Sequence, residues 1–381
     1  MMDINRIQAW AFRSPTPRPV ATSFGVMHDR PGVLVRVEDA DGAYGWGEIF
    51  ANWPAAGAEH RLRLLEMDLA PLVLGARFEH PSAVFTRLDR ETRIRSTQCG
   101  EPGPFAQVIA GLDIAAWDLA ARRAGLPLRH FIRPGAPDRV PAYASGITAT
   151  DADTVIPKAR AAGHQRFKVK VGFDMAKDVE AARRIFDQAQ PGESVACDAN
   201  QAWTLDQSKQ YLGSVGELPW LWLEEPLPVF EDAAAWRALA HSSKVPLAGG
   251  ENLLGYGAFS EAIQAGDLSI LQPDVAKWGG ITGCLRVAQE ALAAGRRYCP
   301  HFLGTGVGLR ASAELLAAVG GDGLLEVDFN ENPLRSLFFE GGEPVHEGNW
   351  ACTSGEGLGV ENLPDALRDF ETMACDLWVG R

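Results

Sequence analysis

The sequence predicts an α/β protein, a modified TIM barrel of the form (β/α)7β, preceded by a small α+β unit. Three observations carry this. From about Val140 onward, eight short apolar runs alternate with seven helical segments, the pattern of parallel strands buried on both faces. Seven of those runs end on or near an ionisable residue, where barrels gather their chemistry. A chain of 381 residues, 46% hydrophobic, is long enough to bury such a core with an added unit. An open doubly wound sheet is the alternative use of the same elements.

The N-terminal unit is read from two strand-like segments, residues 7–13 and 33–37. They lead into the turn signal DADG and a further strand, AYGWGEIF. Helical segments follow at 60–74, 81–92 and 105–124. In the last, Val108, Leu112, Ala115 and Leu119 form one apolar stripe. The barrel strands are then VPAYASG (140–146), FKVKVG (167–172), SVACDAN (194–200), WLWLEEP (220–226), PLAGGE (246–251), LSILQPD (268–274), RRYCPH (296–301) and LLEV (324–327).

Composition excludes several classes. A net charge of −13 without a Lys/Arg run argues against binding nucleic acid or an anionic membrane. The opening MMDINRIQAWAFRSP carries charges where a signal peptide needs an apolar core. No run approaches the roughly 18 apolar residues of a membrane span, so a cytoplasmic protein is expected. Six cysteines lack CxxC spacing and read as reduced, mostly buried thiols.

The residues that break the apolar strands carry the chemistry. Lys168 and Lys170 alternate with Phe167, Val169 and Val171, so the two lysines share one strand face. Asp198, Glu224 and Glu251 end three consecutive strands and would crowd three negative charges into one mouth. A hard divalent cation, Mg2+, relieves that crowding, whereas zinc prefers His or Cys. Glu225, on the opposite face, is read as a structural salt bridge. Asp274 and His301 end neighbouring strands, and a carboxylate on one imidazole nitrogen makes the other a competent base.

GLDIAAWDLAARRAGLPL (111–128), then KVK, DAN, EEP, GGE and PDVAKWGG in order, resemble the mandelate racemase and muconate lactonizing enzyme family of the enolase superfamily. The resemblance covers nearly the whole chain. It implies an α+β capping domain (1–130), a (β/α)7β catalytic barrel (131–335) and a C-terminal segment returning to the cap (336–381). It makes Asp198, Glu224 and Glu251 the Mg2+ ligands and Lys170 the base on one substrate face. Lys168 contacts the substrate carboxylate. His301, partnered by Asp274, is the opposite base, and Glu326 hydrogen-bonds the carboxylate as charge grows on it. Asp274 stands where muconate lactonizing enzymes carry a catalytic Lys, which places the chain in the mandelate racemase subgroup. Lys277 is then a rim ion pair. A homo-oligomer is implied as well.

The expected reaction is removal of a proton α to a carboxylate through an enediolate. A lysine with an ordinary pKa near about 10.4 is a poor base at neutral pH, and the Lys168 charge and Mg2+ are expected to lower that of Lys170. Dehydration of an acid sugar to a 2-keto-3-deoxy acid, a lyase reaction, is the leading outcome. Cycloisomerisation of a sugar lactone is next, because ILQPD, PHFLGTGV and EVDFNENPLR are similar to segments of galactarolactone cycloisomerases. Racemisation of a 2-hydroxy acid follows, and a metabolite-binding barrel without turnover is the non-enzyme alternative. Two cap loops, 15–31 and 50–58, would set specificity through Phe24 and Trp53, with Asn200 and Gln201 suited to substrate hydroxyls.

Overall fold

The computed structural model describes residues 1–23 and 25–380. The cap sheet is a meander of β1 (Met2–Thr22), β2 (Gly25–Asp39) and β3 (Tyr44–Ile49), with β4 (Arg77–Phe78) also paired to β1. The segment expected as a cap loop at 15–31 is instead the outer half of the long β1–β2 hairpin, where Val20 pairs with Met27 and Thr22 with Gly25. In this half the ladder shifts register between Pro15 and Val20. Pro15, Pro17 and Pro19 lack the N–H groups a continuous ladder needs, which is why the stretch reads as loop.

Helix Pro102–Arg123 underlies this sheet and is buried along most of its length. Two glycines of β3 set the approach. A Cβ on Gly45 would lie 2.1 Å from the Ala115 carbonyl oxygen, and one on Gly47 2.0 Å from that of Gly111. Backbone therefore rests on backbone, and the next residue, Glu48, is carried to the rim of the barrel.

All eight expected barrel strands form: β5 (Arg139–Thr148), β6 (Arg166–Lys170), β7 (Ser194–Asp198), β8 (Trp220–Glu224), β9 (Leu247–Gly249), β10 (Ile270–Leu271), β11 (Arg297–Tyr298) and β12 (Leu325–Asp328). From β5 to β11 each is parallel to its predecessor, and β12 pairs in parallel with β5. No ladder joins β11 to β12 among the described residues. There the Leu324 N–H donates to the Cys299 sulfur at 3.4 Å. The interior is filled by Tyr143, Trp222, Ile270 and their neighbours, while Phe167, Val169 and Val171 pack outward with Ala181 and Ile185.

The last part of the chain divides its contacts. β13 (Val345–His346) and β14 (Asn349–Ala351) add antiparallel to the start of β5, and β15 (Glu371–Trp378) pairs with β1 of the cap. No helix among the described residues is long and apolar enough to cross a membrane.

Candidate active site

Strand register assembles the site. Lys170 pairs with Asp198 and Asp198 with Glu224, so three of the ring residues are lateral neighbours. Above them lies a cavity of about 310 Å³, lined by Lys168, Lys170, Asp198, Glu251, His301 and Glu326 among others. The cap contributes Trp53, Phe50, Thr22 and Met27 to its wall. Phe24 lies outside the described residues.

Lys168 is the hub. Its Nζ is 2.6 Å from Glu224 Oε1, 2.9 Å from Glu326 Oε1 and 3.8 Å from Asp198 Oδ2, above the Tyr143 ring. Burial by itself disfavours the ammonium, but Glu224 and Glu326 outweigh it and hold the Lys168 pKa well above the ordinary value. Lys170, the second lysine of the same face, opens into the cavity.

The Asp274–His301 pair forms as expected. Nδ1 of His301 donates to Asp274 Oδ2 at 2.8 Å, while Asp274 Oδ1 accepts the N–H groups of Ala276 and Lys277. The tautomer is thereby fixed, and Nε2 faces Glu251 Oε2 at 2.5 Å. Burial works against an imidazolium here, yet Glu251 and Glu326 raise the His301 pKa well above its usual value. Phe302 N–H donates to Glu326 Oε2, tying the His301 segment to β12.

The three expected metal ligands are near one another but are not drawn into a ligand cage among the described residues. Glu224 accepts from Lys168, Trp222 and Gln272 and lies below the cavity wall. Glu251 meets His301 and Asn252. Asp198 is held by the N–H and side-chain amide of Asn200, at 2.8 and 2.9 Å. Asn200 thus orients Asp198, and the hairpin residue Ser23 in turn donates to the Asn200 carbonyl at 2.5 Å.

The donor set fits a hard divalent cation. Six buried or nearly buried carboxyl groups, Asp198, Glu224, Glu225, Glu251, Asp274 and Glu326, face only four groups able to carry positive charge, Lys168, Lys170, Lys277 and His301. Their acidities divide. Burial pushes Glu224 up to about 7, and burial with Glu251 and Asp198 nearby raises Glu225 well above the carboxylate range, whereas, against their burial, His301 and Lys277 hold Glu251, and Lys168 and His301 hold Glu326, below it. Oxygen ligands with this negative excess suit Mg2+.

One expectation is corrected and one is extended. Glu225 makes no salt bridge among the described residues; both its oxygens accept from Asn252 Nδ2, at 3.0 and 2.8 Å. Its backbone has φ 38°, unusual for a non-glycine residue, so its side chain is turned toward Asn252 at the mouth. Lys277 forms the expected ion pair, with Glu251 at 3.9 Å, and in addition lines the cavity and donates to Asn252 Oδ1 at 2.7 Å. Asn252 and Ser145 also line the cavity without having been singled out; the position of Asn252, one residue after Glu251, was the available signal.

Residues 6–132 match the N-terminal domain of mandelate racemase / muconate lactonizing enzymes, and residues 152–366 match the enolase C-terminal domain-like family. A D-galactarolactone cycloisomerase from Agrobacterium fabrum (strain C58) is 28% identical over 358 residues, covering 90% of this chain and 91% of that protein. An L-talarate/galactarate dehydratase from Salmonella typhimurium (strain LT2) is 26% identical over 350 residues, 90% of this chain and 83% of that one. The crystal structure of a mandelate racemase/muconate lactonizing enzyme from Bordetella bronchiseptica RB50 superimposes with a TM-score of 0.91 at 48% identity, covering 97% of this chain and 99% of that chain. A racemase from Streptomyces coelicolor A3(2), solved with bound magnesium, gives a TM-score of 0.86 at 27% identity, covering 97% and 100%. These relatives are enzymes acting as cycloisomerases, dehydratases or racemases. With both domains of the family matched in order along one chain, the protein belongs to the mandelate racemase / muconate lactonizing enzyme family of the enolase superfamily.

Proposed function

We propose that the protein is a Mg2+-dependent enzyme that removes the proton α to the carboxylate of an acid sugar and expels the β-hydroxyl, giving a 2-keto-3-deoxy acid. The observation that carries the reading is that Lys170 and the Asp274-held His301 open into one cavity with the Lys168–Glu326 pair. Asp198, Glu224 and Glu251 would hold the Mg2+ ion, which when bound supplies positive charge beside the substrate carboxylate.

This chain's own groups would do the rest. Lys170 takes the α-proton at Nζ. Lys168, held against Glu326 at 2.9 Å, donates to the carboxylate oxygen as negative charge moves onto it. His301 Nε2, its tautomer set by Asp274, gives its proton to the departing β-oxygen. Phe50 and Trp53 of the cap line the cavity, and Asn200 brings to it an amide oxygen that has no hydrogen-bond partner among the described residues, able to accept from a substrate hydroxyl.

A second reading keeps the same proton abstraction but expels the ring carboxylate of a sugar lactone. The 28% identical D-galactarolactone cycloisomerase, which spans 90% of the chain, favours it. Incubation with Mg2+ and a panel of acid sugars and lactones in D2O separates the outcomes. A keto product from open-chain acids supports dehydration, the same product from lactones alone supports the second reading, and deuterium exchange without keto product indicates a racemase. Lys170→Ala and His301→Asn are expected to lower turnover about 10²- to 10⁴-fold, with unchanged circular dichroism. Near-wild-type rates in either variant remove the role assigned to that residue.

A further inference from the structure

The segment that carries His301 is anchored from the other domain. His301 is followed by Phe302–Gly304 and then by Thr305, the N-cap of helix Gly306–Val319. Glu48, at the end of β3 in the cap, reaches this N-terminus. Its Oε1 accepts the Thr305 N–H at 2.7 Å, and its Oε2 accepts the Thr305 hydroxyl at 2.5 Å and the Gly308 N–H at 2.7 Å. A carboxylate there satisfies orphan N–H groups and meets the positive end of a 14-residue helix.

The chain on both sides is shaped to admit it. A Cβ on Gly304 would lie 2.2 Å from Glu48 Oε1, and one on Gly308 would lie 2.4 Å from the Phe302 ring and 2.8 Å from Glu48 Oε2. Glu48 is buried, and burial raises its carboxyl to about 7 against the pull of those three donors. Burying a carboxylate there carries a desolvation cost, which the three donors partly offset.

The turn from 301 to 308 is therefore tied along its length: by Asp274 and Glu251 at residue 301, Glu326 at 302, Asn52 of the cap at 303, Asn332 at 304, and Glu48 of the cap at 305 and 308. The neighbouring helix is held in the same way. Asp113 of the cap accepts the N–H and hydroxyl of Thr282, at 2.9 and 2.6 Å, at the start of helix Gly280–Ala293, which follows Asp274.

We infer that Glu48 is a positioning residue for His301, fixing the 301–308 turn from the cap so that the imidazole faces the cavity only while the cap is docked. The inference rests on His301 transferring a proton, as proposed above.

The test uses the full chain in Mg2+ buffer with histidines labelled by 15N. The Nδ1 proton held by Asp274 is identified as the imidazole resonance lost in His301→Asn. In Glu48→Gln that resonance is expected to shift or broaden, and kcat on the substrate identified by the panel to fall about 10²-fold with KM little changed. Thr305→Val, which removes one donor, is expected to show the same change on a smaller scale. A Glu48→Gln protein that folds, with the resonance at its wild-type position and kcat retained, overturns the inference. If Glu48→Gln does not fold, an unmoved resonance in Thr305→Val overturns it. Wild-type turnover by His301→Asn overturns the proton-transfer role itself and the inference with it, whereas an unmoved resonance with an inactive His301→Asn overturns the inference alone.

Discussion

At the level of single residues, the barrel explains why so much of the site could be read from the chain. Ligands and bases recur at intervals close to one strand–helix unit, and the fold converts that spacing into a ring. Glu48 was invisible by the same logic, because its partners are 257 and 260 residues away and belong to another domain. His164 is a further buried group outside the ring, and it carries a pH prediction. It is 2% exposed, packs edge-on against Phe329, and has Arg335 as its charged neighbour. Burial first, then Arg335, lowers its pKa from 6.5 to about 4. The unfolded chain therefore takes up a proton near pH 6.5, while the folded chain resists until about pH 4. Stability from this residue is complete above pH 6.5 and declines as pH falls toward 4, by about 3 kcal/mol at most. Urea unfolding at pH 7.5 and pH 4.5 should show a smaller difference for His164→Gln than for wild type. Equal differences would mean that His164 takes its proton alike in both states.

Secondary-structure elements were legible where one physical signal dominated. All eight barrel strands form because a parallel strand buried on both faces leaves an unbroken apolar run. The β1–β2 hairpin was missed beyond residue 13, since alternate prolines remove ladder donors without preventing the strands from running side by side. In β3 the pattern of glycines carries information that strand propensity does not. Gly45 and Gly47 weaken a strand in isolation, yet here they allow contact with helix Pro102–Arg123 that delivers Glu48 to the barrel. Gly47→Ala puts a methyl group 2.0 Å from the Gly111 carbonyl oxygen, so sheet and helix must part. The expected loss is about 3 kcal/mol or more in denaturant unfolding. Gly103→Ala, at the start of the same helix with nothing within 4 Å of the added carbon, serves as the control. It should be neutral or gain up to about 1 kcal/mol. Equal effects from the two substitutions would remove close packing as the reason for Gly47.

Across the whole molecule, a chain of net charge −13 places a cluster of carboxylates at the junction of cap and barrel. Such a cluster opposes folding unless cations answer it. Lys168 and His301 answer part, and the remaining excess is the physical case for Mg2+. An ion bound by the folded state alone stabilises it by RT ln(1 + [L]/Kd), about 2.7 kcal/mol at one hundred times Kd. Mg2+ should therefore raise the melting temperature of the wild type progressively, and EDTA should reverse the rise. Asp198→Asn separates binding from general ionic strength, because it removes one proposed ligand and one repelling charge together. In EDTA the variant should melt no lower than wild type, since burial, with Glu251 adding to it, outweighs Lys168, Lys170 and the Asn200 N–H and raises the Asp198 pKa. In Mg2+ the order should reverse, the wild type rising and the variant staying nearly flat. Sodium chloride at matched ionic strength should leave the order as it is in EDTA. A Mg2+ response of equal size in both proteins would place the ion away from Asp198, and the cluster would then need another source of positive charge.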